Sequence, residues 1–180
     1  MARASRCQNA RRMLLRRAVP GDELAVAGVH VRSWQKAGRG LLPDQYLDEL
    51  RPEDRAAHYS FGDDEPGRPV TVVAVDQDVV RGFVTIGPSR DTDGQRSGEL
   101  FALYVDPDSW GLGIGRALMN EARDRLTRLS FEEAILWVLV GNERAERFYR
   151  VDGWLLDGAR RLDEVHGVTV DEVRYHRMLS

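Results

Sequence analysis

The chain has 180 residues and a mass of 20.4 kDa, a size typical of one domain. It is 42% hydrophobic and 31% charged, which is a globular composition and excludes a disordered or collagen-like polymer. With 26 basic and 29 acidic residues, the net charge of −3 provides no global field that would attract nucleic acid or anionic lipid.

The apolar runs, the single cysteine and the N-terminal arginines indicate where in the cell the protein is expected. No apolar run approaches the roughly 20 residues that a membrane helix needs, and the single cysteine, Cys7, excludes an intramolecular disulfide. We therefore expect a cytoplasmic protein that does not associate with membranes. The first seventeen residues carry six arginines and no acid. Residues 1–12 are predicted to be a disordered extension, with a contact arm or a targeting peptide as alternatives.

The first part of the chain predicts a strand followed by two helices. Residues 13–19 form the strand, and the turn after it offers Asp22 as a helix N-cap. Apolar residues at three- and four-residue spacings then predict a helix to about Gly38, and a second short helix is expected at residues 44–50.

The period then changes to that of strands. Strands are predicted at residues 70–75, 79–86, 99–105, 135–140, 154–157 and 168–179. One intervening helix buries a stripe of Leu118, Ala122, Leu126 and Leu129. Another runs from Asn142 to about Arg150, where Gly153 provides a left-handed cap. The order β-α-α-β-β-β-α-β-α-β-β predicts a single α/β domain over residues 13–180.

The stretch from Val105 to Leu118 ends a strand, passes through glycines at every second position and starts a helix. Such a loop lets backbone N–H groups approach an anion, and the helix N-terminus adds partial positive charge. Tight strand-to-helix packing is the structural alternative. The spacing does not fit a dinucleotide-binding fingerprint, and a P-loop is excluded because the only lysine is Lys36.

A second segment carries Asn142, Ala145, Phe148 and Tyr149, followed by Gly153 and Trp154. Together the two segments resemble the Q/R-x-x-G-x-G/A and N-x-x-A-x-x-F-Y-x-x-x-G-F/W motifs of the GNAT superfamily of acetyl-CoA-dependent N-acetyltransferases. The resemblance covers about residues 14–179. It implies an α+β fold with a mixed, mostly antiparallel sheet of about seven strands, a splayed central parallel pair and about four flanking helices. Trp110 departs from the motif's Gln or Arg, and we expect it to pack beside the cofactor.

The resemblance also implies site residues. The backbone of the central strand would hold the pantetheine arm, the glycine loop would hold the pyrophosphate, and Tyr149 would protonate the leaving thiolate. The predicted cofactor-binding residues are Leu103, Tyr104, Val105, Trp110, Gly111, Leu112, Gly113, Ile114, Gly115, Arg116, Asn142 and Tyr149. Simple helix capping by Asn142, surface solvation of Arg116 and core packing of Tyr149 are the alternatives.

The acceptor amine must lose a proton before it attacks. Glu99 is the predicted base, directly or through water, and the alternative is a surface carboxylate. His30 is a second candidate for the base, although a lone helical histidine is more often structural. His30 and Trp34 are placed at the acceptor site, where Tyr46 is a further aromatic candidate. The acidic segment 40–65 is expected to be a solvated face, and its acids would also attract a cationic amine.

The sequence therefore predicts transfer of an acetyl group from acetyl-CoA to a primary amine by direct attack, with a small-molecule acceptor. Acetylation of a protein N-terminus or lysine and a non-catalytic acyl-CoA sensor are the alternatives. No metal is expected, because the four histidines lack ligand spacing and no second cysteine is present. A homodimer is compatible with the resemblance.

Overall fold

The computed structural model of the protein describes residues 13–63, 65–91, 97–165 and 167–179. The predicted extension at residues 1–12 lies outside the described residues. The strands are β1 (Leu14–Arg17), β2 (Val70–Asp76), β3 (Val79–Pro88), β4 (Ser97–Val105), β5 (Glu133–Leu139), β6 (Leu155–Val165) and β7 (Val168–Met178). The helices are α1 (Glu23–Ala37), α2 (Asp44–Glu49), α3 (Pro52–Ala56), α4 (Ile114–Arg128) and α5 (Glu143–Val151).

The strands form one sheet in the order β1-β2-β3-β4-β5-β7-β6, and only β4 and β5 run parallel. The predicted fold class is confirmed, with five helices among the described residues instead of about four. The additional helix is α3, which packs against α1. Strand β6 is much longer than the predicted residues 154–157, because it is an exposed edge strand whose polar sequence carries little apolar alternation.

Helices pack on both faces of the sheet. On one face, α1 packs over β3 and β4, and on the other, α4 packs over β2, β3 and β4. Leu118, Ala122 and Leu126 of α4 are fully buried as predicted, but Leu129 is 55% exposed. Leu129 follows the last helical residue, so it falls outside the buried stripe.

Asp22 precedes α1 as predicted, but its side chain does not cap the helix. The carboxylate instead accepts two hydrogen bonds from the Arg16 guanidinium, at 2.6 and 3.0 Å, and one from the Val19 amide at 2.8 Å. Asp22 therefore ties β1 to the start of α1.

The central parallel pair separates along its length. Strands β4 and β5 pair only from Ser97 to Leu100 and from Glu133 to Leu136. At this point β4 also shifts register against β3, since Thr85 pairs with Ala102 and Ile86 with Leu100. A bulge of this kind bends a strand and increases its local twist. The bulge therefore accounts for the divergence of β4 from β5.

Candidate active site

A cleft of about 630 Å³ occupies the gap between the separated strands. Its walls are the C-terminal halves of β4 and β5, the start of α4, the inward side of α5, and parts of α1 and β7. A splayed parallel pair leaves backbone donors and acceptors without a strand partner, so the gap can hold an extended ligand. The topology of the sheet thus creates the cleft.

The backbone of β4 presents polar groups to this gap. The Asp106 amide donates to the Arg81 carbonyl on β3 at 2.8 Å, and alternation along the strand turns the N–H and C=O groups of Leu103 and Val105 toward the gap. The Val105 carbonyl already accepts hydrogen bonds from the Ser33 hydroxyl and the Trp110 indole, both at 2.8 Å. The groups of Leu103 and the amide of Val105 are therefore the ones that face a ligand.

The glycine loop delivers the N-terminus of α4 to the same cleft. Gly111 and Gly113 have φ values of +79° and +82°, and a Cβ atom at either position would meet nothing within 4 Å. Backbone conformation alone therefore requires glycine at these positions. Gly113 precedes the helix without a side-chain cap, and the first turn holds no acid. Because no side chain in the described part of the chain uses the first amides of α4, they can bind an anion.

Basic side chains surround this helix end. Arg116, Arg144 and Arg147 line the cleft, and the Arg144 guanidinium lies 3.8 Å from the centre of the Trp110 ring. Trp110, where the motif has Gln or Arg, thus anchors the Val105 carbonyl and supports a cation on its ring face. The sequence prediction missed Arg144 and Arg147, although their i, i+3 spacing on α5 was a usable signal.

Not every predicted loop residue faces the cleft. Leu112 is 68% exposed and is absent from the cleft wall, whereas Gly111, Gly113 and Gly115 line it. Ile114 also contributes to the wall and is packed into the core below.

Asn142, at the start of α5, and Tyr149, within α5, both line the cleft. The Asn142 side-chain oxygen accepts a hydrogen bond from the Ala145 amide at 3.2 Å, so it caps α5 and keeps its NH₂ group available. Tyr149 is only 7% exposed and is more buried than Phe148, although both line the cleft. Burial, together with the nearby Tyr104 phenol, raises the pKa of Tyr149 well above its usual value. Like an ordinary phenol it is protonated at neutral pH, and the raised pKa makes it a weaker acid than a solvent-exposed tyrosine.

Tyr104 and Trp34 line the cleft on the α1 side. The Trp34 indole interacts with the Tyr104 hydroxyl and acts to lower its pKa. Burial raises the pKa of Tyr104 to about 12, and the negative charge of Glu172 adds to the shift. Tyr104 thus remains neutral and lies within electrostatic reach of both Tyr149 and Glu172.

The structure does not bring Glu99 and His30 into the cleft wall. Glu99 is 2% exposed, and its carboxylate accepts hydrogen bonds from the Arg90 amide at 3.0 Å and the Arg90 guanidinium at 3.3 Å. His30 is buried behind Tyr104, with ring centres 4.6 Å apart. Its Nδ1 lies 2.7 Å from the Tyr59 hydroxyl and 3.3 Å from Arg55 Nε, so the ring is held among residues outside the cleft wall.

The residues predicted for the acceptor side occupy different positions. Trp34 lines the cleft, whereas Tyr46 lies behind it, with its ring centre 6.2 Å from that of Trp34. None of the described acids of segment 40–65 lines the cleft; the segment contributes Leu42. The carboxylate in the wall is Glu172 of β7, which the sequence prediction missed together with Trp137 of β5. Glu172 lies two residues after Val170, so both side chains are on the same face of β7, and this spacing was the available signal.

Among the described residues, no group of three or more His, Cys, Asp or Glu side chains is placed to hold a metal ion. None of the helices in the described part of the chain is long and apolar enough to span a membrane.

The fold and the cleft define a class of protein built around a splayed parallel strand pair. Residues 31–154 match the acetyltransferase (GNAT) family, and the chain belongs to that family. The resemblance inferred from the two sequence motifs is thereby confirmed.

Similar proteins agree with this assignment. The chain is 32% identical over 120 residues to a Bacillus subtilis protein named uncharacterized N-acetyltransferase YuaI, covering 65% of this chain and 66% of that protein. It is 33% identical over 72 residues to a mycothiol acetyltransferase of Geodermatophilus obscurus, covering 40% of this chain and 23% of the relative. The chain thus spans less than two thirds of both relatives.

The fold also matches solved structures. That of the PaiA N-acetyltransferase from Thermoplasma acidophilum in complex with coenzyme A superposes with a TM-score of 0.66 at 16% identity, covering 93% of this chain and 99% of that one. At this level of identity the likeness concerns the fold.

Proposed function

We propose that the protein is an acetyl-CoA-dependent N-acetyltransferase that transfers the acetyl group directly to a primary amine. The observation that carries this proposal is the placement of two features in one cleft. The uncapped N-terminus of α4 can bind phosphate, and Tyr149 can donate a proton. A pyrophosphate and a thiol leaving group are the two chemical features of CoA that such a cleft would serve.

The chain's groups suggest how CoA would be held. The amides at the start of α4 would bind the pyrophosphate, with Arg116, Arg144 and Arg147 adding positive charge. The Leu103 carbonyl and the Val105 amide would pair with the pantetheine arm as a neighbouring strand does. The Asn142 NH₂ group would donate to the same arm from the opposite wall.

The chemical step follows from the same groups. A neutral amine attacks the thioester carbonyl, and the Leu103 amide stabilises the charge on its oxygen. The carbon–sulfur bond then breaks, and the Tyr149 hydroxyl gives its proton to the leaving thiolate. Because neither Glu99 nor His30 lines the cleft, either group would need intervening water to remove the amine proton.

The acceptor that we propose is a small-molecule amine, and a protein N-terminus or lysine is the competing acceptor. A cytoplasmic location and a homodimer complete the proposal. The exposed edge of β6 is the surface through which two copies could pair.

Thiol release from acetyl-CoA in the presence of a panel of amines and peptides tests the proposal. Tyr149→Phe should lower kcat about 100-fold or more while acetyl-CoA affinity stays within about twofold of wild type. Tyr175→Phe is the matched control, because Tyr175 belongs to the same aromatic cluster but bonds to Glu146 outside the cleft. Tight acetyl-CoA binding without turnover on any acceptor would favour a sensor, and faster turnover of peptides than of small amines would favour a protein acceptor.

A further inference from the structure

The cleft continues beyond the reacting region into a chamber between α1 and β7. We call this chamber the acceptor end. Five cleft-lining residues define it: Trp34, Tyr104, Trp137, Leu139 and Glu172. We take it as the side of the cleft from which an amine would approach the thioester.

Glu172 is the carboxylate of the acceptor end. It pairs in register with Leu139 of β5 and Arg161 of β6, at the centre of the last three strands. Arg161 contacts it through both Nε and Nη2 at 2.8 Å, and both contacts reach the same oxygen, Oε2. The other oxygen, Oε1, accepts no hydrogen bond from any described residue. Glu172 is thus fixed in position and keeps one acceptor oxygen unused.

The surroundings of Glu172 leave the local charge negative. Two arginines, Arg161 and Arg174, are paired with four carboxylates. These carboxylates are Asp91, Asp157, Asp163 and Glu172. Arg161 is further held over the face of Trp137, with its guanidinium 4.2 Å from the ring centre. Because both arginines are occupied, the acceptor end favours a cation and disfavours a ligand carboxylate.

The remaining walls are apolar. Leu42, Leu139 and Val170 line the cleft and pack in one hydrophobic cluster with Trp34. An ammonium group beside Glu172 would therefore carry a carbon skeleton that lies against aliphatic and aromatic side chains. A second charged group on that skeleton would lose solvation without gaining a partner.

We propose that Glu172 binds the ammonium form of the acceptor, and that the acceptor is a primary amine with an apolar skeleton and no carboxylate near the nitrogen. This inference rests on the proposed function, because it assigns the second substrate of the same cleft. Glu172 acts here as a substrate-binding residue through its free Oε1.

Isosteric probes test the inference by binding. Hexylamine, hexanol and hexanoate have similar chains and differ in charge. Titrated calorimetrically into the CoA-saturated protein, hexylamine should bind at least about tenfold more tightly than either analogue. Equal binding of hexylamine and hexanol, or tighter binding of hexanoate, would overturn the inference, and this comparison needs no variant.

Two neighbouring variants sharpen the test. Glu172→Gln should weaken hexylamine binding about tenfold and leave hexanol and CoA affinity unchanged. Asp171→Asn is the matched control, because Asp171 is the adjacent carboxylate, pairs with Arg160 and does not line the cleft. Equal hexylamine affinity in the two variants would refute the role of Glu172. A protein that binds hexylamine through Glu172 but releases no thiol from acetyl-CoA would contradict the proposed function alone.

Discussion

Replacing Gly113 or Gly115 by alanine makes the same chemical change in two different backbone conformations. Gly113 has a φ of +82°, whereas Gly115 lies in the first turn of α4. Neither substitution creates a clash, since a Cβ at Gly113 meets nothing within 4 Å and one at Gly115 lies 3.6 Å from Phe148 and 3.7 Å from Val105. Any change in the free energy of unfolding therefore reports backbone conformation.

The magnitudes follow from that difference. Alanine in a left-handed conformation costs roughly 1–2 kcal/mol, offset by roughly 0.4–1 kcal/mol because the unfolded chain loses conformational freedom. Gly113→Ala should thus lower the free energy of unfolding by about 1 kcal/mol. Gly115→Ala should raise the free energy of unfolding by about 0.5 kcal/mol. This is the lower end of the range for replacing glycine by alanine in a helix, because Gly115 lies in the first turn.

Urea unfolding followed by circular dichroism measures both variants. In a chain of this length, the two midpoints of thermal unfolding should differ by roughly 3–6 °C. Gly113→Ala should also weaken CoA binding, since relief of the strain would tilt the first amides of α4 away from a bound phosphate. Equal stability of the two variants, or a less stable Gly115→Ala, would refute the assignment of conformational roles to these glycines.

Three further substitutions test the fold and the cleft. Gly98→Ala would place a Cβ 2.6 Å from Cδ2 of the fully buried Leu126, so the free energy of unfolding should fall by about 1–3 kcal/mol in a urea titration; an unchanged midpoint would contradict this packing. The Arg16 guanidinium and the Val19 amide hold the pKa of Asp22 below its ordinary value of 3.8. The stabilisation is therefore present above that pH and is lost as the pH falls through the lower folded pKa. Asp22→Asn should be less stable than wild type at pH 7, with a difference that shrinks below about pH 4; a constant difference would argue against the pair. Arg144→Ala should weaken CoA binding about threefold at low ionic strength and less at high salt, measured by calorimetry; an effect independent of salt would exclude a charge interaction.

The order of elements follows from local patterns in the sequence. The stripe that includes Leu118 and Leu126, the change to strand alternation after Pro69, and the cap at Gly153 are visible without a structure, because each reflects short-range geometry. The errors also have local causes. Leu129 continues the apolar spacing beyond the end of α4, and the polar edge strand β6 lacks the alternation that marks a half-buried strand.

Some residues of the candidate site can be assigned from the sequence, and others only from the folded structure. The loop from Trp110 to Gly115 and the helix from Asn142 to Tyr149 are contiguous motifs, so their residues can be assigned from the sequence. Glu99 and His30 are single residues in an element, and their partners Arg90 and Arg55 are known only once the chain is folded. Glu172 and Trp137 belong to different strands and meet the cleft only because β7 pairs beside β5.

The α/β order of elements, the glycine-rich loop before α4 and the tyrosine of α5 can all be assigned from the sequence, since short-range spacing encodes each of them. Only the folded chain shows where β4 leaves β5, which carboxylate faces the gap, and how deeply Tyr149 is buried. These properties depend on strand register, on ion pairs between distant segments and on burial. They arise from long-range contacts, which no local pattern of residues specifies.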